Sequence, residues 1–182
     1  TFNDSSVMHT DDIYKYFNAA DITDIAEITE IAEIGFNGGH SCVVLLILFP
    51  NAKITIFDIC EHSYVNSCFD YLDNLFPDRL TLIPGDSTKT LPTHTQKYNL
   101  IHIDGGHFDD IPKQDLENTY NNLIDNQGYI IYDDTYYEHS LMLNMFLSHC
   151  RNAFKIFIKK YNVEIKHICN GSTICFVNKT YL

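Results

Sequence analysis

Short apolar runs alternate with stretches of helical periodicity over most of this 182-residue chain. The runs are rich in Ile, Leu, Tyr and Phe and have the length of buried strands. They are IAEIGF at 31–36, KITIFDI at 53–59, LTLIPGD at 80–86, YNLIHID at 98–104 and GYIIYDD at 128–134. Strands that alternate with helices form right-handed parallel units, and helices cover both faces of the sheet. The pattern therefore predicts a doubly wound α/β domain.

Two segments between these runs carry apolar residues at helical spacing, the second behind a proline typical of a helix start. The positions are Val65, Cys68, Phe69, Leu72 and Phe76 in the first segment and Leu116, Tyr120, Leu123 and Ile124 in the second. Farther along, VEIKHIC and STICFVN flank Asn170 and Gly171, a pair typical of a type I′ hairpin. We therefore expect a mostly parallel, seven-stranded Rossmann-like sheet with a C-terminal antiparallel hairpin.

The first part of the chain is less regular. Ile recurs at 22, 25, 28, 31 and 34, a period of three that favours neither helix nor strand. We expect a helix over about 20–29, within an N-terminal helical segment over about 1–30 that precedes the sheet. No linker, low-complexity tract or repeat divides the sequence, and its length suits one core. A single domain over 1–182 is the expectation.

Composition and charge narrow the function. The formal charge is −12, with 24 acids against 12 Lys and Arg, which disfavours nucleic acid and anionic membranes as partners. A cationic small molecule or a bound metal suits this charge better. No apolar run is long enough to span a bilayer, and 1–20 lacks the pattern of a signal peptide, although the numbering opens at Thr1 rather than Met. The six cysteines form no CxxC pair, so we expect a reducing, cytoplasmic location, with a structural disulfide set as the alternative.

The stretch EIGFNGGHS at 33–41 stands where the first strand turns into a helix. Ligands of open α/β sheets bind at such turns. Gly35 and Gly39 would let the backbone approach a ligand, and Ser41 with the following N–H groups would receive a carboxylate. The spacing is not the GxGxxG of dinucleotide-binding proteins. A tight turn that merely needs positive φ angles is the alternative.

Asp58 ends the second strand, about twenty residues farther on. A carboxylate at this place in such folds accepts hydrogen bonds from the hydroxyls of a ribose. The sequence therefore favours a nucleoside ligand, and the alternative is an acid that is merely solvated at the end of a strand.

Five motifs now occur in order over about 31–135: EIGFNGGHS, FDI, GDS, IHIDGGH and YDDT. Together they resemble class I S-adenosylmethionine-dependent methyltransferases, most closely the small metal-dependent O-methyltransferases of the catechol type and their sugar-modifying relatives. The resemblance implies that S-adenosylmethionine is bound with its methionine end near Glu33, its ribose on Asp58 and its adenine near Asp86. The cofactor-binding residues that it implies are Glu33, Gly35, Asn37, Gly39, Ser41, Asp58, Ile59, Asp86, Ser87 and Asp104.

Three acids end neighbouring strands and should converge at the carboxyl edge of the sheet. Asp104, Asp133 and Asp134 would repel one another there unless protons or a cation compensate. Oxygen ligands without cysteine favour Mg²⁺, with Ca²⁺ or Mn²⁺ as alternatives. Adjacent strand residues face opposite ways, so both members of the pair could bind only if Thr135 onward were loop. Otherwise one of the pair would point into solvent or cap a helix.

His107 and Asp104 are the candidate catalytic residues. His107 follows Asp104 by three positions, and the resemblance implies that this is where a general base stands, lysine in catechol-type enzymes and histidine in the sugar-modifying ones. An imidazole can take a proton from a hydroxyl whose pKa a nearby cation lowers. His107 could instead be a further metal ligand or a surface residue.

The acceptor and the reaction remain open at this stage. A sugar, a phenol or another small hydroxyl compound would fit, with 136–139 or 108–111 as a wall of its site or as ordinary packing. The rivals are a nicotinamide dehydrogenase, a non-catalytic nucleotide-binding or scaffold module, and a metal-dependent hydroxylase of the same fold. The sequence does not decide the oligomeric state, and a homodimer is possible.

Overall fold

The computed structural model describes residues 27–136, 140–161, 163–168 and 171–179. Seven strands in this part of the chain form one sheet in the order β3-β2-β1-β4-β5-β7-β6. They are β1 Glu30–Ile34, β2 Lys53–Asp58, β3 Leu80–Pro84, β4 Tyr98–Ile103, β5 Ile124–Tyr136, β6 Val163–Ile168 and β7 Gly171–Asn178. Strands β1 to β5 pair in parallel, whereas β7 runs antiparallel to both β5 and β6. The predicted mixed sheet and terminal antiparallel pair are confirmed, and residue 170 of the expected turn lies outside the described residues.

Helices fill the connections between the strands. The described α-helices are α1 His40–Leu48, α2 Val65–Leu75, α3 Ser87–Thr90, α4 Ile111–Asn118, α5 Leu141–Phe146 and α6 Ser148–Lys160. A π-helical turn, Thr119–Leu123, follows α4, and Ile124 already belongs to β5. The second predicted helix therefore ends earlier than its apolar spacing indicated. Of the helix expected over 20–29, residues 20–26 lie outside the described part.

The apolar residues form one cluster on each face of the sheet, as the strand and helix pattern predicts. Leu45 of α1 and Leu72 of α2 belong to the cluster on one face. Leu116 of α4 and Phe157 of α6 belong to the other. The central strands β1, β2 and β4 are almost entirely buried, which is why they read as continuous apolar runs, whereas the edge strands β3 and β6 are more exposed.

Strand β5 differs from its prediction at both ends. It begins four residues before Gly128, and it continues to Tyr136 rather than giving way to loop at Thr135. Asp134 has a φ angle of 61°, and the pairing with β7 is irregular between Tyr132 and Tyr136. This bulge turns one residue out of the regular alternation, so the strand changes the direction of its side chains without ending.

Two further expectations can be compared with the structure. The cysteines that the structure describes, Cys42, Cys60, Cys68, Cys150 and Cys175, are free thiols. None of the described helices is long and apolar enough to cross a membrane.

Candidate active site

The site lies where β1 and β4 stand side by side and the chain leaves them toward opposite edges of the sheet. Gly35 N–H donates to the carbonyl of Phe57, and Asp104 N–H donates to that of Ile34, so the sheet pairing continues into both loops. Gly35 has a φ angle of 89°, and a Cβ atom there would lie 2.0 Å from the carbonyl oxygen of Asp104. Only glycine allows this approach. The first glycine of the EIGFNGGHS stretch thus brings the two loops together.

A cavity of about 470 Å³ opens above this point. Its walls come from the loops that follow β1, β2, β3 and β4. The predicted cofactor residues that line it are Gly35, Asn37, Asp58, Ile59, Asp86, Ser87 and Asp104, and the candidate base His107 lines it as well. The structure therefore gathers most of the predicted residues around one space large enough for a nucleoside ligand.

Asp58 organises the wall nearest to β1. Its Oδ2 atom accepts hydrogen bonds from the backbone N–H groups of Phe36 at 2.8 Å and Asn37 at 3.1 Å. Its Oδ1 atom accepts from the N–H of Cys60 at 2.7 Å. The carboxylate is buried and holds both the glycine loop and its own turn. Three of its roughly four lone-pair sites are occupied, so it can accept about one further hydrogen bond.

Three predicted cofactor residues do not line this cavity. Glu33 is fully buried, accepts a hydrogen bond from the Ser41 hydroxyl and lies 3.3 Å from Nδ1 of His102. Gly39 begins α1 with a φ angle of 78°, and a Cβ atom there would lie 2.7 Å from the Phe36 ring. These residues support the loop from beneath. Glu33, Gly39 and Ser41, which were predicted to contact the methionine end of the cofactor, are not among the residues that line the cavity.

Asp86 and Ser87 form the wall beyond β3. Asp86 begins α3, accepts hydrogen bonds from the N–H and hydroxyl of Thr88, and pairs with Lys89 at 2.7 Å. The hydrogen bonds from Lys89 and Thr88 lower the pKa of Asp86 to about 2. This carboxylate is therefore charged at every physiological pH and holds the loop in one conformation.

His107 stands between two carboxylates at one end of the cavity. Its Nε2 atom lies 2.8 Å from Oδ2 of Asp134 and 3.6 Å from Oδ1 of Asp104. Ligand atoms of all three residues lie within 4.8 Å of one another. Asp134 reaches this position because the bulge in β5 redirects it. Two carboxylates and an imidazole at this spacing are a donor set that suits a divalent cation.

The charges in this group oppose and support one another. Hydrogen bonding to Asp104 and Asp134 raises the pKa of His107 to about 10, because both carboxylates stabilise the imidazolium. Lost hydration and repulsion from Asp133 raise the pKa of Asp104, whereas His107 lowers it. The Asp104 side chain is 40% exposed, so solvent moderates this rise. A protonated His107 thus supplies the positive charge that the two acids require.

Asp133 is not part of this group, although it lines a small space behind the loop together with Asp104, His107 and Asp134. Its Oδ1 atom accepts hydrogen bonds from the Ser172 hydroxyl at 2.5 Å and the N–H of Asp134 at 3.0 Å. The structure thus brings Asp104 and Asp134 together with His107 and directs Asp133 toward β7. Of the three predicted metal ligands, Asp133 is the one that the spatial group does not include.

Sequence reasoning missed Asp115, a buried acid beneath the loop over 104–110 that carries His107. Its Oδ2 atom would lie 3.0 Å from a Cβ atom on Gly105, and the Ser87 side chain lies beside its carboxylate. It therefore lies beside both the residue that follows Asp86 and the loop that carries His107. Burial raises the pKa of Asp115 to about 7. The signal was an acid on the inward face of α4, next to Leu116, where an apolar residue is expected.

Comparisons with known proteins agree with this geometry. A family model described as a methyltransferase domain matches residues 32–135. No curated protein sequence matches the chain significantly. A Staphylococcus aureus structure described as a caffeoyl-CoA O-methyltransferase superposes with a TM-score of 0.70 at 18% identity, covering 94% of this chain and 83% of its own.

Two further structures show how widely the fold is used. An S-adenosylhomocysteine-bound methyltransferase from Podospora anserina has a TM-score of 0.64 at 17% identity, covering 96% of this chain and 88% of its own. Spermidine synthase from Thermotoga maritima has a TM-score of 0.62 at 12% identity, covering 91% of this chain and 59% of its own. At such identities the likeness concerns the fold, which the three structures share although their names state different reactions.

Proposed function

The chain belongs to the class I S-adenosylmethionine-dependent methyltransferases, and on that premise we propose that it methylates a hydroxyl group of a small molecule with the help of a divalent cation. The observation that carries the proposal is the position of His107. It stands beside Asp104 and Asp134 at the end of the cavity that the predicted cofactor residues line. A base beside two acids that could hold a cation, at the end of a cofactor pocket, is an arrangement that can activate a hydroxyl for methyl transfer.

In this proposal, S-adenosylmethionine lies in the cavity with its ribose toward Asp58 and its adenine toward Asp86 and Ser87. Asp58 already holds the N–H groups of Phe36 and Asn37, so it would orient the nucleoside through the loop as well as directly. The acidic surroundings favour the positively charged sulfonium. The methyl group leaves sulfur as a new carbon–oxygen bond forms, and S-adenosylhomocysteine remains.

His107 is proposed as the base that receives the hydroxyl proton. Its imidazole must be neutral to do so, and a pKa of about 10 keeps it protonated while Asp104 and Asp134 are its only counter-charges. A divalent cation on the two carboxylates would remove that stabilisation and lower the pKa of the acceptor hydroxyl. The two carboxylates thus stabilise the protonated histidine when no metal is bound, and they would hold the cation when the histidine is neutral.

Asp104 and Asp134 are the proposed cation ligands from this chain. With His107 as a base the donors are oxygens, and Mg²⁺ suits them. With His107 as a third ligand the nitrogen donor would shift the preference toward Mn²⁺ or another transition metal. The choice of metal therefore depends on the role of the histidine. The free thiols fit a reducing compartment, and we propose a cytoplasmic location.

Calorimetry with S-adenosylhomocysteine, followed by an acceptor screen with labelled S-adenosylmethionine in Mg²⁺, Mn²⁺ or EDTA, tests the proposal. Sugars, phenols and aliphatic alcohols form the screen. We expect product binding, and label transfer that EDTA abolishes. Binding without transfer to any acceptor would favour a non-catalytic module, and full activity in EDTA without bound metal would exclude the cation.

A further inference from the structure

An exposed apolar surface adjoins the loop over 104–110 that carries His107. We define the α5 patch as Phe108 of that loop together with Leu141, Met142, Met145 and Phe146 of α5. These side chains are between 52% and 79% exposed. Large contiguous apolar patches are rare on the surfaces of monomeric proteins, and they mark interaction sites or ligand-binding grooves.

The patch is one continuous surface. The four α5 residues fall within an arc of about 140° around the helix, because successive residues are 100° apart. Phe146 at one end of that arc contacts Phe108 edge to face, with ring centroids 5.1 Å apart. None of the α5 residues is buried, and the helix is anchored at its end by the buried Leu147 that follows it.

The patch is also fixed to the candidate base. Phe108 follows His107 directly in the chain. Behind it, Nδ1 of His149 lies 3.1 Å from the carbonyl oxygen of Asp109, and Sγ of Cys150 lies 3.9 Å from that of His107. The start of α6 thus contacts the loop over 104–110 from behind. Phe108 thus places one end of the patch a single residue from His107, just outside the residues that line the cavity.

Charge restricts the acceptor further. Asp104, Asp109 and Asp110 are exposed on the same loop, and the whole chain carries a formal charge of −12. An acceptor with phosphate or carboxylate groups, such as a coenzyme A thioester, would be repelled. A free sugar would cover the apolar side chains without gaining from them.

We infer that the α5 patch binds the body of the methyl acceptor, and that the acceptor is an uncharged hydroxyl compound with an extended apolar chain or ring system. This inference rests on the proposed function and specifies its substrate class. Alkyl or aromatic groups of the acceptor would shield Met142, Met145 and Phe146 from water, and shape rather than charge would select among them.

A series of 4-alkylphenols from methyl to hexyl, with glucose as the polar comparison, tests the inference. Binding to protein saturated with S-adenosylhomocysteine is measured by calorimetry, and turnover with labelled cofactor. We expect affinity to rise about two- to fourfold per methylene group, because each buried methylene is stabilising. The double variant Met142→Ser with Met145→Ser should flatten this rise.

The matched control is Ile47→Ser with Leu75→Ser, two exposed apolar residues of α1 and α2 on the other side of the sheet. It should keep the full rise. A flat series in the unmodified protein, an equal rise in the patch variant, or preference for glucose would overturn the inference. A dimer that the patch variant alone converts to monomers, with the alkyl rise unchanged, would make the patch a self-association surface instead.

The proposed function has its own failure in the same experiment. If the protein does not bind S-adenosylhomocysteine, the proposed function fails, and the alkylphenol series is measured on the protein alone. A rise with chain length that depends on Met142 and Met145 would then still support an apolar ligand site.

Discussion

Nε2 of His107 lies 2.8 Å from Oδ2 of Asp134, a residue that only a bulge in β5 directs toward it. The two residues are 27 positions apart in sequence, and a regular strand would direct Asp133 and Asp134 to opposite faces of the sheet. The contact gives His107 a counter-charge, and it gives Asp134 a cation. A cation held by Asp104 and Asp134, as we propose, would compete with the proton of His107, and this competition would govern the pH dependence of metal binding.

Replacement of His107 by Gln separates base from ligand. If His107 is the base, kcat should fall about 10²- to 10⁴-fold, while affinity for Mn²⁺ at pH 9 should rise by up to about tenfold, because the competing imidazolium is gone. His167→Gln on β6, remote from the cavity, serves as the control for the loss of an imidazole. A parallel loss of metal affinity would make His107 a ligand, and an unchanged kcat would remove it from catalysis.

Metal affinity should depend on pH. The folded-state pKa of His107 is raised to about 10, so below that pH an imidazolium repels the incoming cation. The apparent dissociation constant for Mn²⁺ should therefore fall as pH rises, by up to about tenfold per unit between pH 7 and 9 if one proton is displaced. Calorimetry in buffers of different ionisation enthalpy counts that proton. His107→Gln should abolish the slope, and a pH-independent affinity in the unmodified protein would contradict the competition.

Replacement of Asp58 by Asn should weaken S-adenosylhomocysteine binding. Three backbone N–H groups lose a charged acceptor, and a ribose hydroxyl loses one if it is bound there, so a loss of about 1 to 3 kcal/mol is expected. Glu61→Gln is the comparison, since Glu61 is exposed and lines the same cavity. Unchanged affinity in folded Asp58→Asn, with a loss in Glu61→Gln, would transfer the ribose contact to Glu61.

Gly35 and Gly38 offer a test of the loop contact within one turn. A Cβ atom on Gly35 would lie 2.0 Å from the backbone oxygen of Asp104, whereas one on Gly38 meets only the flexible ring of His40, at 3.1 Å. Gly35→Ala should lower the melting temperature strongly and abolish S-adenosylhomocysteine binding, while Gly38→Ala should change both little. Similar melting temperatures for the two variants would show that the loops can separate.

Asp115 should make stability depend on pH. Burial raises its folded pKa to about 7, so the folded state binds a proton that the unfolded state loses near pH 4. The contribution of Asp115 to stability is therefore greatest below pH 4 and decreases as pH rises toward 7. Asp115→Asn should become more stable relative to the unmodified protein over this range, by at most about 4 kcal/mol at about 1.4 kcal/mol per pKa unit.

Urea unfolding at pH 5 and pH 8 measures this difference. Asp73→Asn on α2, the same substitution at an acid on the other side of the sheet, is the control. A constant difference between Asp115→Asn and the unmodified protein at both values would mean that Asp115 titrates normally.

Sequence patterns predicted the sheet well because its central strands β1, β2 and β4 are buried on both faces and leave continuous apolar runs. The clustering of Gly35, Asp58, Asp86 and Asp104 was also predictable, since parallel strands end at one edge. The partner of His107 was harder to foresee. Which member of the Asp133 and Asp134 pair turns inward depends on a single φ angle in β5, and apolar periodicity carries no record of it.

Strand β7 has a consequence for how the protein assembles. Ser172 of β7 holds Asp133, which lies 39 positions earlier in the chain, and β7 inserts between β5 and β6. On the ribosome, β5 leaves the exit tunnel before its neighbour is made and remains an open sheet edge. Such edges pair readily with other chains. The acidic edge of the site is therefore completed only once β7 has been made, after the loops that line the cavity have emerged.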